Sequence, residues 1–562
     1  MITDDHNKVG TSRLEKGEYD EAISEFTKAI LGVTDGFAEA HYKRSLAYCH
    51  KGEYDLAIAD ATKALAANPS YAEAYYNRAF AYFKKEQYEP AIADFSKAIS
   101  LTPNNAKAYY YRGLAYGNVK EYELAIIDFT RTVDSDASFF AGYYHRGVAY
   151  CGNGEYDLAI DDAAKAIEMN PDYPEAYCSR GIAYQRKGEF GLAVADFGKA
   201  IELNPHYAEA YLSRGLAYFD RGEYQPAITD FSKAIGLTPD NAGAYYHRGL
   251  AYYKKGNTSK AIADATKALE INPTYAEAYY SRGIVHRDRE EYQLAIADFS
   301  KAIDIDPKNA DGYGNRGIAY RKSGEYEPAI TDLSRAIELN PDYAEAYYNR
   351  GFAYYKTRQY NLALDDFSRA IELAPGMTEA YYNRGILYYL GEKYDPAIAD
   401  LSQAIEINPD IAEPYYTRGI AYYNKKEYEK GIADLSRAIE INPQSAEAYH
   451  KRGIIHRARG EHDLAIADFT QCIKMKPKDA NMYTDRGIAY RNKGEYDLAI
   501  ADFTKAIELN PDSSVAYYSR GLVYKSRRKY DLAIADFRQV ALITKDPGLV
   551  KTVMEELQLF GA

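Results

Sequence analysis

Of the 562 residues none is tryptophan, only four are cysteine and twenty are proline. No stretch approaches the ~18 consecutive apolar residues that a membrane-spanning helix needs, so no membrane insertion is expected. A basic surplus is missing too: 82 acidic residues outweigh 69 basic ones, for a formal charge of −13. Phosphate neutralisation calls for clustered Lys and Arg, which argues against nucleic acid as a main partner. Cys49, Cys151, Cys178 and Cys472 are too sparse for a disulfide scaffold in so long a chain, and we read them as free thiols. Only Cys151 and Cys178 fall where they could lie near each other. Residues 1–10 (MITDDHNKVG) have neither the basic start nor the apolar stretch of a secretory signal, so the default expectation is cytoplasmic.

Signatures of chemistry are wanting as well. The glycines have the wrong spacing for a phosphate-binding loop, and no HExxH occurs among ten scattered histidines. His286 and His456 replace a repeated Tyr, and Ser96, Ser232 and Ser300 follow a register rather than pairing with a base. We therefore expect no enzyme, no cofactor and no metal site. Asn257-Thr258-Ser259 is a formal glycosylation sequon that matters only for an exported chain.

What is present is repetition. A single core stops growing at roughly 250–300 residues, so the chain is either several domains or an array. Sixty tyrosines and 19 phenylalanines recur with the prolines in one register. Pro69, Pro103, Pro171, Pro205 and onward to Pro511 are separated by 34 residues or a multiple of it, with Ala137 at the one gap. Units start at residue 38 and every 34 residues to 514, and an earlier copy starts near residue 3 with a longer closing loop (LGVTDGF), for 16 in all. A fixed period of this size means a solenoid.

Each unit reads as two helices. In 344–357, Ala346, Tyr347, Phe352 and Tyr354 carry apolar surface at helical spacing, with small Gly351 between them. A turn follows at 358–361, and Ala363, Leu364, Phe367, Ala370 and Ile371 form the stripe of the second helix. Asn-Pro pairs such as Asn340-Pro341 end the second helices, because the residue before proline is pushed out of the helical region. Pro90, Pro226, Pro328 and Pro396 fall in first turns, where proline sacrifices no intrahelical bond.

The series Tyr347, Gly351, Tyr354, Ala363, Phe367, Ala370 and Pro375 resembles the tetratricopeptide repeat, and nearly every copy preserves it. The resemblance implies an all-α fold: an α-solenoid of about 16 tandem helix-turn-helix units at residues 3–547, wound as a right-handed superhelix. Residues 548–562 depart from the unit and are expected to form a C-terminal capping helix. There Leu549, Val553, Leu557 and Phe560 make an apolar stripe that either covers the last unit or docks on a partner. One departure from the family recurs. Arg stands where Leu is usual in fifteen copies, and each of these also carries Asp just before the second-helix aromatic position. We expect a partly buried Arg–Asp ladder, exemplified by Arg350, Asp366, Arg384 and Asp400, formed within a unit or, as for Arg350 with Asp332, between neighbours. Block duplications, such as residues 276–321 echoed at 446–491, fit a fold whose stability sums nearest-neighbour terms.

In the family, first helices line a concave groove that holds ligands. Carried over, the peptide-binding positions are Tyr76, Tyr110, Tyr144, Tyr246, Tyr280, Tyr348, Tyr382 and Tyr416, with Glu73, Glu277, Glu345 and Glu379 one turn earlier. Phe83, Tyr253, Tyr355, Tyr389 and Tyr423 sit nearby, and their register turns basic at Arg287, Arg321, Arg457, Arg491 and Lys525. Tyrosine offers a broad apolar face and a hydroxyl at low entropic cost, although each ring can equally pack on the next unit. The Lys/Asn/Arg clamp that some relatives use for a terminal carboxylate is absent, with Tyr382 and Ile386 in its place. The expectation is a non-catalytic interaction scaffold for peptides or partner proteins. The alternatives are a structural protein that self-associates end to end and a regulatory subunit of an enzyme.

Overall fold

The computed structural model describes residues 2–32 and 38–561, and among them it contains 33 α-helices and no strand. The lengthened loop of the first copy, 33–37, lies outside the described residues. No described helix is long and apolar enough to cross a membrane. The helices fall into two compact units, Met1–Val285 and His286–Ala562, each built by repetition of one antiparallel pair.

In the second unit the pair Ala344–Lys356 and Tyr360–Leu373 shows how the sequence makes the hairpin. The first helix stops in a Schellman turn: Gln359 N–H donates to the Tyr354 carbonyl at 2.8 Å and Arg358 N–H to that of Tyr355 at 3.1 Å. This closure puts Arg358 at φ 63°, a left-handed conformation that most first-unit copies give to glycine, as at Gly188 (φ 80°). At the other end of the period, Asn340 N–H closes on the Ala336 carbonyl at 2.8 Å before Pro341 forbids continuation.

The two helices meet where ring and glycine coincide. Phe367 is fully buried, and a methyl group placed on Gly351 would lie 3.0 Å from its ring. In the first unit the corresponding distance from Gly181 to the Phe197 ring is 2.7 Å, closer than a methyl group can stand unless the ring shifts, whereas the copy with Ala79 accommodates one beside Phe95. Ala363 and Ala370 complete the contact, both fully buried. Where alanine replaces the ring, the space is filled differently or left open. Ala265 opposite Gly249 leaves an apolar recess bounded by Leu250, Ala261, Ile284 and Val285. In the copy with Ala61, buried Ser45 instead accepts a 2.6 Å hydrogen bond from Asn77 Nδ2.

Charge enters this interface in one fixed form. Arg350 Nε donates to Asp366 Oδ2 and Nη2 to Oδ1, both at 2.8 Å, while Nη1 reaches back to Ser334 Oγ of the preceding pair at 3.0 Å. Arg384 repeats the fork on Asp400 at 2.7 and 2.8 Å and touches Ser368 Oγ at 3.0 Å. Ser368 in turn donates to the Leu364 carbonyl. The inter-unit partner considered for Arg350 is not used, because Asp332 is held by Arg316 at 2.6 Å. The Arg350 and Asp366 side chains are 18% and 8% exposed, so both charges are largely withdrawn from water. Burial would lower the Arg350 guanidinium, but the Asp366 carboxylate outweighs it and raises that pKa. Burial also raises the Asp366 carboxyl, which its arginine only partly offsets. Each arginine thus joins the two helices of its own pair by charge and the preceding pair by a hydroxyl. Ala164 and Gly198 stand at the hydroxyl register, so Arg180 and Arg214 keep Asp196 and Asp230 at 2.7 Å without that tether.

Two outcomes follow from this geometry. Arg350→Met should destabilise its hairpin by about 3–5 kcal/mol by stranding Asp366, whereas the double change with Asp366→Leu should recover most of the loss. Amide exchange across Ala344–Lys356 and Tyr360–Leu373 reads both, and a coupling of zero would dismiss the pair. Gly198→Ser should stabilise the neighbouring helices by about 1 kcal/mol, since it removes a mid-helix glycine and restores the tether. A side chain there has room, with only Arg214 Nη1 nearby at 3.7 Å.

Candidate functional site

The eight tyrosines assigned to the groove are all half-buried, neither core nor free surface. Each lies on a first helix, one turn before a buried small residue, and the rings with resolved aromatic contacts pack either on the second helix of their own pair or on the connection that follows it. Tyr76 meets Phe95 at 5.7 Å, Tyr144 meets Tyr173 at 5.1 Å, Tyr246 meets Tyr275 at 5.0 Å and Tyr348 meets Phe367 at 5.9 Å. Tyr110 packs edge-on to Phe139 at 4.9 Å. Burial raises the phenol of Tyr110 to about 12 and also raises those of Tyr382 and Tyr416, so these hydroxyls remain protonated donors at neutral pH. Tyr280 is likewise half-buried and engaged. One ring edge therefore packs while the remainder stays accessible.

Glu73, Glu277, Glu345 and Glu379 stand exposed one turn earlier on the same helices. The four arginines of the basic register are half-buried and differ in partners. Arg287 pairs with Asp288 at 2.9 Å and donates to Asn315 Oδ1. Arg457 Nη1 donates to Asp485 Oδ1 at 2.5 Å, and His450 Nε2 lies 2.8 Å from the other carboxylate oxygen. Burial raises the Asp485 carboxyl, but the His450 hydrogen bond and the Arg457 charge outweigh it and hold it below the ordinary range. Arg491 touches only Asn492, at 3.4 Å, and burial lowers its pKa. Arg321 lies over the Phe352 ring at 4.8 Å, and its Nε is buried with no hydrogen-bond partner among the described residues.

Sequence reasoning missed two residue sets. One is the Ser/Thr tether, which looked like an incidental surface serine. The other is the residue just before each ladder arginine, Asn315, Asn349 or Asp485, which meets or lines the basic sites from the next unit. Only their regular offset, 28 residues after Arg287, Arg321 and Arg457, marked them.

The proposed docking residues face inward. Val553 and Leu557, on the helix Pro547–Leu559, are buried against Ala533, Phe537 and Val540, and Leu549 and Phe560 pack on the same cluster. Phe560 also lies 5.4 Å from the Tyr530 ring, and Lys525 pairs with Glu556. These four residues are thus engaged with the preceding helix pair rather than offered to a partner; the exposed apolar side chains of the tail are Met554 and Leu559. Cys151 and Cys178 line one recess with Tyr144, Ile182 and Arg186, and all four cysteines are free. Among the described residues no group of His, Cys, Asp and Glu is arranged to hold a metal.

Models of the "TPR repeat" match residues 46–86, 81–119, 147–188, 215–256 and 317–357. Models of the "Tetratricopeptide repeat" match 174–207, 242–275, 276–309, 344–377, 378–411, 412–445 and 480–513, with further matches at 299–331, 503–535 and 446–479. No curated protein matches the chain. Among solved structures, YrrB, titled a TPR protein with an unusual peptide-binding site, is 28% identical over 33% of this chain and 95% of its own, with a TM-score of 0.30. MamA is 30% identical over 31% of this chain and 94% of its own, with a TM-score of 0.29. Yeast Tom70 is 19% identical over 75% of this chain and 95% of its own, with a TM-score of 0.30.

The depressed Asp485 carboxyl sets a pH expectation. Its contribution to stability is complete above the unfolded value of about 3.9 and is lost as the pH falls through the lower folded value. The stability gap between the natural chain and Asp485→Asn should therefore narrow as the pH falls below about 4, read by melting of both chains from about pH 5 downward.

Proposed function

From the premise that this chain belongs to the tetratricopeptide repeat family, whose members serve as protein–protein interaction scaffolds, we propose that it is a non-catalytic scaffold that binds extended segments of partner proteins along its first-helix face. The observation that carries this reading is the row of half-buried tyrosines. At these positions, as at Tyr348 and Tyr382, a ring is held on one edge by its neighbour and presents the other edge, with a protonated hydroxyl, to a ligand. Rigid aromatic surface of this kind binds with little loss of rotamer freedom. Exposed glutamates on the same helices and arginines one register on give the face alternating polar specificity. The helix Pro547–Leu559 serves in this reading as a cap over Phe537 and Val540.

Binding is tested with an array of 12-residue peptides followed by fluorescence anisotropy on the strongest binder. Tyr348→Leu combined with Tyr382→Leu should weaken that peptide roughly tenfold or more. The fold tolerates leucine at this register, since Leu212 occupies it naturally, so melting should change little. Unchanged affinity in the double variant, or no peptide bound at all, would refute the groove.

A further inference from the structure

Three buried side-chain polar atoms lack a partner among the described residues: Asn7 Oδ1, His462 Nδ1 and Arg321 Nε. Only the last belongs to a group that is always charged. An uncompensated guanidinium is unfavourable in a partly dry setting, because the fork gives up water without gaining an acceptor. Arg321 also forms no ion pair among the described residues, whereas Arg287 and Arg457 at the same register take Asp288 and Asp485. It lies over the face of Phe352, which supports the cation without occupying its N–H groups. Burial accordingly lowers its pKa.

Packing does not require this charge. Tyr355, Tyr389 and Tyr423 occupy the same register in the three following units and are half-buried there in the same way. What distinguishes Arg321 is its surroundings. It lines an open recess with Arg287, Ile318, Lys322, Tyr348 and Asn349, all in the second unit. The carboxylates at that recess are Asp288, Glu290 and Glu345. Asp288 already holds Arg287, and all three are exposed at the rim. Nε itself is enclosed, so an acceptor that arrives from the groove meets the terminal Nη atoms of Arg321 at this recess.

We infer that Arg321 anchors a carboxylate side chain, Asp or Glu, of the extended peptide bound along this face. The inference rests on the groove reading above and names its ligand chemistry: an acidic residue set beside the tyrosine-lined stretch that begins at Tyr348. Two parallel N–H···O bonds from a guanidinium to a carboxylate give geometry as well as charge. An aspartate or glutamate satisfies the fork, whereas the uncharged amide of asparagine or glutamine leaves the cation uncompensated.

The test uses the full chain and peptide pairs from the same array that differ only as Glu or Gln at one position. The best pair should show a roughly 10- to 100-fold preference for Glu, decreasing with added salt. Arg321→Gln should bring the two affinities together. Arg321→Tyr, which installs the residue found at 355, should do the same, and Arg321→Lys should keep part of the preference. Melting supplies a readout that a structural role would move: both neutral variants should unfold at the same temperature as the natural chain or higher. Peptides that bind without a Glu preference, or whose preference survives Arg321→Gln or is lost instead on Arg491→Gln, would overturn the inference and leave the groove standing. A marked fall in melting temperature in both neutral variants would assign Arg321 to the fold and overturn it too. Absence of any peptide binding would remove both readings together.

Discussion

The contact on which everything else depends is the ring of a second helix laid against the bare backbone of its first helix. Phe367 on Gly351 and Phe197 on Gly181 approach so closely that a methyl group between them would require the ring to shift. That approach fixes both the separation and the rotation of the pair, because only one residue of the first helix lacks the atoms that would collide. Once the rotation is fixed, the small residues Ala346 and Ala353 are turned inward and the tyrosine at the fifth place, Tyr348, lies against the Phe367 ring of its own pair. A hairpin so small cannot bury both of its faces alone, and stacking on a neighbour completes the burial. The period of the sequence is thus the period of a steric coincidence.

Into this apolar interface the chain sets a charge, and the way it does so separates structure from function. At Arg350 each guanidinium nitrogen has an acceptor, two carboxylate oxygens and a hydroxyl, so none of the three is without a partner. A ladder of such arginines is fully internal business. Arginines of the groove register are placed at the ends of first helices, where the partner comes from a variable position of the next unit. There the degree of compensation differs from site to site, from the doubly held Asp485 beside Arg457 to the open fork of Arg321. The same side chain is therefore fully partnered in one register and variably partnered in the other.

Much of this was legible in the residues, and for a physical reason. Proline and glycine act on their own backbone, so Pro341 and Gly188 announce the ends of helices without reference to anything distant. The Gly351–Phe367 contact follows from periodicity, since residues that recur together across many copies share one environment. Pairing choices were not legible in the same way. Asp332 and Asp366 lie 18 and 16 residues from Arg350, and only the hairpin geometry selects the latter. Ser334 reads as a surface serine until the neighbouring unit is in place. Arg287 and Arg321 have the same residue type, Asn, at the same offset, yet only Arg287 is bonded to it in the structure. The apolar stripe of the tail was visible in sequence, but not the direction it would face, because an amphipathic helix states that it needs a cover without naming which.

The two consecutive joints at Ala164 and Gly198 have a mechanical meaning. Elsewhere in the first unit a guanidinium ties each hairpin to its predecessor through a hydroxyl, as Arg112 does with Ser96 and Arg248 with Ser232. Across these two joints that half-buried tether is missing, and the polar links that remain, Lys187 to Asp157 at 2.7 Å and Gln185 to Asp220 at 2.9 Å, are exposed to water and resist sliding less. Bending imposed on that stretch of the array by a long or curved cargo would concentrate there, so the chain carries a built-in point of compliance between stiffer arms.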